Sequence, residues 1–168
     1  MPLMHVLLIK MSSLGDVIHT LPALTDAMQA VPDLKIDWVI ESAFADIPAM
    51  HPAVNKIIPI ALRRWRKNIF KSLWSSEIKH FLKTLRETKY DFIIDAQGLL
   101  KSALVAKCAR GKIFGLDKNS AREKIARFFY YEKYCIDKNQ HAVTRTRELL
   151  SKILHYHFSG NPDYQIKL

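Results

Sequence analysis

Cysteine is scarce in this 168-residue sequence, and its spacing excludes two common structural devices. The two cysteines, Cys108 and Cys135, lie far apart and form no CxxC pair. A disulfide scaffold or a cysteine-rich zinc site needs more cysteines at characteristic spacings, so neither is indicated. His155 and His157 have the wrong spacing for two metal ligands on one helical face. We expect two reduced, buried cysteines and neither a metal nor another cofactor.

Long hydrophobic runs are also missing. Uninterrupted apolar stretches reach only five or six residues, whereas a membrane-spanning helix needs about 20. The first residues lack the basic start, apolar core and small-residue cleavage site of a secretory signal. With 49% hydrophobic and 25% charged residues, the composition is typical of a globular protein, and the length suits one domain. We therefore expect a cytoplasmic protein.

Glycine is rare as well, and its placement excludes the common nucleotide-binding loops. The turn after the first apolar run, Ser12-Ser13-Leu14-Gly15-Asp16, matches neither the GxGxxG pattern nor a P-loop. Gly15 allows a ligand to approach the backbone, and Ser12 and Ser13 offer hydroxyl and N–H groups. Asp16 is unexpected here because a carboxylate repels phosphate. From the residues alone it is either the N-cap of a helix or a functional group.

Basic residues are in excess, with a formal net charge of +10. Residues 61–90 hold nine basic and two acidic side chains, and residues 101–127 hold eight and two, whereas residues 1–60 hold three and six. The stretch LRRWRK at residues 62–67 has little helical apolar periodicity, and we interpret it as a loop that presents guanidinium groups. Such groups match phosphate and carboxylate oxygens, so we expect an anionic partner. Scattered lysines are equally compatible with a solvated helix face.

Short apolar runs alternate with amphipathic stretches along the chain. Predicted strands span Met4–Lys10, Ile36–Ile40, Lys56–Ile60, Asp91–Asp95 and Lys112–Leu116. Predicted helices span Asp16–Ala30 with a kink at Pro22, Ser42–Ala49, Leu73–Thr88, Leu99–Ala109, Ala121–Tyr130 and Ala142–His155. Since the strands lack period-2 polarity, they favour a parallel sheet covered on both faces, a Rossmann-like, doubly wound α/β domain. Residues 158–168 show turn chemistry and then the start of another predicted strand.

Polar clusters follow three of the predicted strands. They occupy residues 12–16, 63–67 and 95–103. Ligands of open α/β sheets bind beyond the carboxyl ends of the strands. We therefore expect the three clusters to surround one crevice.

Several motifs together resemble one enzyme family. They are KMSSLGDVIHTLPAL at residues 10–24, LRRWRK at 62–67, DFIIDAQGLLKSAL at 91–104, AREKIARFFY at 121–130 and QHAVTRTRELL at 140–150. In order and spacing they resemble the N-terminal half of the lipopolysaccharide heptosyltransferase I family, within glycosyltransferase family 9, from about Met4 to the chain end. The resemblance implies one of the two Rossmann-like domains of the GT-B architecture. Residues 1–157 would form the acceptor-binding domain and residues 158–168 the start of the interdomain linker, without the C-terminal donor domain.

The resemblance also implies a reaction and a set of site residues. The reaction is an inverting transfer of heptose from ADP-heptose to the Kdo of Kdo-lipid A, in lipopolysaccharide core biosynthesis. Asp16 matches the proposed base that removes a proton from the acceptor hydroxyl. The implied acceptor-binding residues are Arg63, Arg64, Arg66, Lys67 and Arg122, with Gln97 and Lys101 as further candidates. The implied cleft loop, facing the donor phosphates, comprises Lys10, Ser12, Ser13 and Gly15.

Several of these residues could also have purely structural roles. Lys10 could cap the strand edge, Gln97 could belong to a turn, and His19 and His141 favour structural roles in helical segments. The aromatic and apolar residues after the arginines could contact lipid or pack a helix on the sheet; they are Phe70, Leu73 and Trp74. The residues themselves do not decide between these alternatives.

Partners and activity follow from the same resemblance. The family's donor contacts lie chiefly in the other half, so we expect this chain alone to be inactive and to meet ADP-heptose only when that half is supplied. We expect it to lie peripheral to the inner membrane, facing the anionic inner leaflet. Alternatives are a nonfunctional truncated remnant, a chain trimmed at a domain boundary, or a basic nucleic-acid-binding module. No motif of nucleic-acid recognition accompanies the basic segments, so we expect no nucleic acid partner.

Overall fold

Six parallel strands form one sheet in the computed structural model, which describes residues 3–67 and 75–166. The strands are β1 (Met4–Ile9), β2 (Leu34–Glu41), β3 (Val54–Ile60), β4 (Phe92–Asp95), β5 (Ile113–Leu116) and β6 (Glu132–Tyr134). They are ordered β3-β2-β1-β4-β5-β6, and every neighbouring pair is parallel. This order is the doubly wound one, which confirms the predicted fold class.

The central strand β1 shows why the sheet is covered on both faces. Side chains alternate across a strand, and here Val6 and Leu8 pack into one core cluster while Leu7 and Ile9 pack into the other. All four are at most 1% exposed. An apolar run without polar alternation is therefore the pattern that two covered faces require.

Helices cover the two faces in separate groups. They are α1 (Leu14–Ile18), α2 (Leu21–Ala30), α3 (Asp46–Ala49), α4 (Leu62–Lys67), α5 (Ser76–Glu87), α6 (Leu100–Cys108) and α7 (Ala142–Leu154), with 3₁₀ helices at Ser42–Phe44 and Lys124–Phe129. Helices α2 and α7 pack on the face of Val6 and Leu8. Helices α5 and α6 and the second 3₁₀ helix pack on the opposite face. No helix in these described ranges has the length and apolar character to cross a membrane.

The first predicted helix is interrupted near Pro22, as expected. The chain forms α1, a two-residue break and then α2, with Pro22 in the first turn of α2. Proline is tolerated at this position because its missing N–H would have no partner there anyway. The break leaves α1 as a separate turn beside the end of β1.

Other predicted elements differ from the structure. Residues 62–67 form α4, so their assignment to a loop is wrong. Residues 121–130 contain a 3₁₀ helix in place of an α-helix, and residues 158–166 contain no strand. The edge strand β6 was not predicted. The beginning of the predicted helix Leu73–Thr88 lies outside the described residues.

The cysteines are less buried than predicted. Cys135 is exposed, and Cys108 is only half-buried, although both are free thiols as expected. Cys135 directly follows the edge strand β6, where only one neighbouring strand covers the backbone. Its position at the margin of the sheet explains the wrong prediction.

Arg147 holds the last described segment, from residue 158 onward, against the rest of the domain. Its guanidinium binds both oxygens of Asp26, at 2.6 and 3.1 Å, and donates to the carbonyls of Ser159 and Gly160 at 3.3 and 3.1 Å. Tyr164 packs against the core cluster beneath α2 and α7. The described part of residues 158–168 thus lies on the domain surface, and its role as a linker stays a prediction.

Candidate active site

A cavity opens at the carboxyl edge of the sheet, between the chain segments that follow β1, β4 and β5 and the beginning of α7. Its lining residues are Lys10, Asp16, His19, Ala96, Gln97, Leu116, Arg122, Ala142, Arg145, Thr146 and Leu149. Its volume is about 50 Å³, which is room for a few water molecules. The clusters after β1 and β4 therefore meet at one place, where the topology predicts a ligand site.

Asp16 occupies the third position of α1 and not its N-cap. Ser13 is the N-cap residue, and the Asp16 carboxylate accepts a hydrogen bond from the Ser13 N–H at 3.2 Å. The same carboxylate faces Arg122, whose Nη2 lies 3.3 Å from each oxygen. The Asp16 side chain is 16% exposed. The N-cap interpretation of Asp16 is thus corrected, and the carboxylate is available to the cavity.

Three cations line the cavity together with Asp16, which is the one carboxylate among the described lining residues. Lys10 lies at the end of β1 and donates to the Ala96 carbonyl at 3.1 Å. Burial lowers the pKa of the Lys10 ammonium, the nearby Asp16 carboxylate opposes that shift, and the Arg122 guanidinium adds to it. Arg145 from α7 completes the set and donates to the Ser120 carbonyl at 3.0 Å. The cavity is therefore suited to an anionic group placed beside Asp16.

Gln97 fixes the turn that carries Asp16. Its side-chain oxygen accepts from the Met11 N–H at 2.7 Å, and its side-chain nitrogen donates to the Ser12 carbonyl at 2.9 Å. Ser12 and Ser13 are joined by a cis peptide bond. Because both ends of the Gln97 amide bind backbone, the structure gives this residue a positioning contact. Its acceptor contact stays a prediction.

Asp95, which sequence reasoning did not single out, holds Gln97 in place. This fully buried carboxylate accepts from the backbone N–H groups of Gln97 and Gly98 at 3.0 and 3.1 Å. It also contacts the hydroxyls of Ser102, at 2.9 Å, and Tyr130, at 2.6 Å. Burial raises the pKa of the Asp95 carboxyl, and these hydrogen bonds oppose the shift. The available signal was an acid that ends an apolar strand and precedes a Gln-Gly turn.

The predicted arginine cluster lies on α4, outside the Asp16 cavity. All four of its cations are exposed; they are Arg63, Arg64, Arg66 and Lys67. Arg64 pairs with Glu77, and the Arg63 guanidinium lies 5.7 Å from the centre of the Phe44 ring. The helix forms because the Glu41 carboxylate accepts from the N–H groups of Leu62 and Arg63 at 3.3 and 3.1 Å. The structure therefore does not bring this cluster into contact with Asp16.

Lys101 is also absent from the lining of the Asp16 cavity. It borders a separate apolar groove between α4, α5 and α6, together with Arg66. Gly15 lies in α1, with open space where a side chain would project. The candidate lipid-contacting residues Phe70, Leu73 and Trp74 lie outside the described residues.

Arg145 and His19 line the cavity although sequence reasoning did not assign them to it. The Arg145 Nε is buried and has no hydrogen-bond partner among the described residues. The His19 and His141 rings meet edge to face at 5.4 Å, and His141 caps α7 by accepting from the Val143 N–H. The QHAVTRTRELL stretch marked this region, but nothing local distinguished Arg145 from its neighbouring arginine.

Comparison with known proteins gives consistent matches. The profile of glycosyltransferase family 9 (heptosyltransferase) matches residues 78–168. Lipopolysaccharide heptosyltransferase 1 of Pseudomonas aeruginosa is 54% identical over 154 residues, covering 91% of this chain and 43% of that protein. The enzyme of the same name from Escherichia coli K12 is also 54% identical, with 91% and 48% coverage. The chain spans about half the length of these relatives.

Solved structures agree with this match. The structure of E. coli heptosyltransferase WaaC with ADP-2-deoxy-2-fluoro heptose superposes with a TM-score of 0.92 at 52% identity, covering 96% of this chain and 52% of that chain. The same enzyme with ADP gives a TM-score of 0.89. The match lies in the N-terminal half of these GT-B structures and confirms the resemblance seen in the sequence. The chain belongs to glycosyltransferase family 9, the heptosyltransferases.

Proposed function

We propose that this chain is the acceptor-binding half of an inverting lipopolysaccharide heptosyltransferase I, with Asp16 as the catalytic base. The main observation behind the proposal is that the Asp16 carboxylate lies in the cavity at the carboxyl ends of the strands. Arg122 contacts both of its oxygens, and Lys10 and Arg145 line the same cavity. One carboxylate is enough for an inverting transfer, because no covalent sugar–enzyme intermediate forms. The surrounding cations suit an acceptor that carries its own negative charge.

The contact between Arg122 and Asp16 suggests how the acceptor is received. The acidic group of a Kdo sugar would bind the Arg122 guanidinium, which leaves the Asp16 oxygens free for the sugar hydroxyl. Asp16 would then take the hydroxyl proton while the acceptor oxygen attacks the anomeric carbon of heptose and ADP leaves. The Ser13 N–H would keep the carboxylate oriented during this exchange.

The remaining predicted residues divide between the two substrates. Lys10, Ser12, Ser13 and Gly15 would face the donor phosphates, and ADP-heptose would bind mainly to the half of the enzyme that this chain does not span. The solved relatives were studied with ADP and with an ADP-heptose analogue, which supports this donor class. The α4 cations, with Lys101, would bind the more distant acidic groups of Kdo-lipid A. The acceptor would be taken from the cytoplasmic, anionic leaflet of the inner membrane.

The base is tested in a two-domain protein made by joining residues 1–168 to the C-terminal half of the E. coli relative. Asp16→Asn retains an oxygen that accepts from Ser13 but removes the basic carboxylate, so heptose transfer should fall by about 10²–10⁴-fold. The thermal unfolding midpoint should stay close to that of the parent. Asp46→Asn, at an exposed aspartate of α3, is the matched control and should retain full activity. Unchanged transfer by Asp16→Asn would refute the assignment.

Binding is tested with residues 1–168 alone. Titration with a Kdo-lipid A precursor should give saturable binding that weakens in Arg122→Ala, whereas a random oligonucleotide at the same salt should bind less tightly. Preference for the oligonucleotide would favour the nucleic-acid-binding alternative. Transfer of heptose by this chain without a second polypeptide would contradict the expected inactivity.

A further inference from the structure

The guanidinium of Arg145 contains a buried donor that the proposed mechanism does not use. Arg145 lines the Asp16 cavity, and its Nε is buried without a hydrogen-bond partner among the described residues. Buried N–H groups in folded proteins are nearly always paired, because an unpaired donor loses its hydration without compensation. The loss is larger for a charged group. The Arg145 Nε therefore requires an acceptor that the described residues do not supply.

The same guanidinium is held in place from its other end. Its Nη2 donates to the Ser120 carbonyl at 3.0 Å. Ser120 is itself fixed, because it is 1% exposed and its hydroxyl bonds on two sides. That hydroxyl accepts from the Ile136 N–H at 2.7 Å and donates to the Asp117 carboxylate at 2.7 Å. A group that is fixed before its ligand arrives loses little conformational freedom on binding, so the Arg145 Nε is a preorganised donor.

The charge of the cavity lining is unbalanced. The described lining residues include three cations and one carboxylate, which belongs to Asp16. Both Asp16 oxygens lie 3.3 Å from Arg122, so this carboxylate already has a cationic partner. Lys10 and Arg145 make no ion pair with a carboxylate in the described part of the chain. The cavity therefore has an excess of positive charge next to the unpaired Nε.

The buried carboxylate of Asp95 does not supply the missing acceptor. One of its oxygens accepts from the N–H groups of Gln97 and Gly98, and the other from the hydroxyls of Ser102 and Tyr130. A water molecule could accept from the Arg145 Nε but would leave the positive charge unbalanced. An oxyanion satisfies the donor and balances the charge. The cavity volume of about 50 Å³ suits one such group and not a whole nucleotide.

We propose that Arg145 anchors an oxyanion subsite in this cavity, where a phosphate or carboxylate oxygen accepts from its Nε. The Lys10 ammonium is close enough to sense the charge of Arg145, and it would bind a second oxygen of the same group. The subsite is distinct from Arg122, whose side chain is 55% exposed and contacts Asp16. An oxyanion on Arg145 would therefore leave the contact between Arg122 and Asp16 intact.

The inference rests on the proposed function in one respect, because the oxyanion would belong to a substrate of the transfer. Two sources share this chemistry. They are a phosphate of the nucleotide-sugar donor and the carboxylate of the acceptor sugar. The subsite itself requires neither turnover nor the second half of the enzyme, so inorganic phosphate is a sufficient probe.

The experiment is calorimetric titration of residues 1–168 with inorganic phosphate at constant ionic strength. The parent should bind phosphate saturably, and Arg145→Gln should weaken binding by about tenfold or more, as expected for losing a charge-assisted hydrogen bond. Arg145→Lys keeps the charge without the Nε–H, so its affinity should lie between the two. The matched control is Arg110→Gln, at an exposed arginine that precedes the amino end of β5. It removes the same charge at the opposite edge of the sheet and should bind like the parent.

Competition identifies the source of the oxyanion. Displacement of phosphate from the parent by ADP would assign the subsite to the donor, whereas displacement by free Kdo would assign it to the acceptor. Displacement by neither compound would overturn the inference, because the bound phosphate would then not represent a substrate group.

Three further results would overturn the inference. They are no phosphate binding by the parent, equal binding by Arg145→Gln and the parent, and an equal loss of binding in Arg110→Gln. Circular dichroism should show the parent fold in Arg145→Gln; if that variant does not fold, equal affinity of Arg145→Lys and the parent is the refuting result. Phosphate binding involves no proton transfer to Asp16, so the activity of Asp16→Asn tests the base separately and each proposal can fail alone.

Discussion

His51 makes the stability of this domain depend on pH in a defined window. This residue is 2% exposed, and its ring Nδ1 accepts from the Ala53 N–H at 3.2 Å. The proton of the neutral ring therefore lies on Nε2, which is 2.9 Å from the Thr25 hydroxyl. Protonation would place a second hydrogen on Nδ1, directly facing the Ala53 N–H. Burial lowers the pKa of His51 from 6.5 to about 4, and the Asp163 carboxylate opposes that shift.

The sign and size of the effect follow from this shift. The unfolded chain binds a proton to His51 below pH 6.5, whereas the folded chain does so only below about pH 4. The contribution to the free energy of unfolding is therefore complete above pH 6.5 and is lost as the pH falls towards 4. A shift of this size corresponds to about 3 kcal/mol, most of which should disappear by about pH 4.5.

Urea unfolding of the parent and of His51→Asn measures this contribution. The asparagine oxygen can still accept from Ala53, and the variant has no ring to titrate. We expect the parent to be more stable near neutral pH and the difference between the two proteins to shrink by about 2–3 kcal/mol towards pH 4.5. Carboxylates titrate in both proteins, so they cancel in the difference. A difference that stays constant across this window would refute the reasoning.

Two substitutions test the packing of the domain. Arg147→Ala leaves the largely buried Asp26 carboxylate without its cation and should lower the free energy of unfolding by about 3–5 kcal/mol. The control Lys56→Ala breaks an exposed ion pair and should lower it by less than about 1 kcal/mol. Equal losses of stability in urea unfolding of the two variants would contradict this prediction. Gly115→Ala places a methyl group 2.5 Å from the Tyr130 ring and should destabilise the domain by about 1–3 kcal/mol. A fully stable Gly115→Ala variant in thermal unfolding would show that the ring can move.

Most of the sheet could be predicted because each of these strands is marked by a local pattern in the sequence. Strands β1, β2, β3, β4 and β5 are short apolar runs separated by amphipathic helices, and this pattern alone favours the doubly wound fold. Strand β6 escaped prediction because it pairs on one side only and begins with the exposed residues Glu132 and Lys133. Edge strands tolerate charge, so they lack the apolar signal by which the central strands were found.

Helix α4 and parts of the site were not predicted because they depend on contacts between residues that are far apart in the sequence. The start of α4 is stabilised by Glu41, which lies at the end of β2 and 21 residues earlier in the chain than Leu62. Gln97 reaches Met11 across a separation of 86 residues. Contacts of this kind leave no periodic pattern in the sequence. Asp16 was a candidate because of its position after the first predicted strand and because of the family resemblance, and its catalytic role stays a prediction. Asp95 and Arg145 could be found only from the folded arrangement.

The segment after Arg122 is hydrogen-bonded to the segment that follows β4. The Glu123 N–H donates to the Gly98 carbonyl at 3.0 Å, and the Glu123 carboxylate accepts from the Leu100 N–H at 2.6 Å. Gly98 follows Gln97, whose amide holds the turn that carries Asp16. Hydrogen bonds therefore connect the segment after Arg122 with the turn that carries Asp16 by two routes, one through Arg122 and one through Gln97.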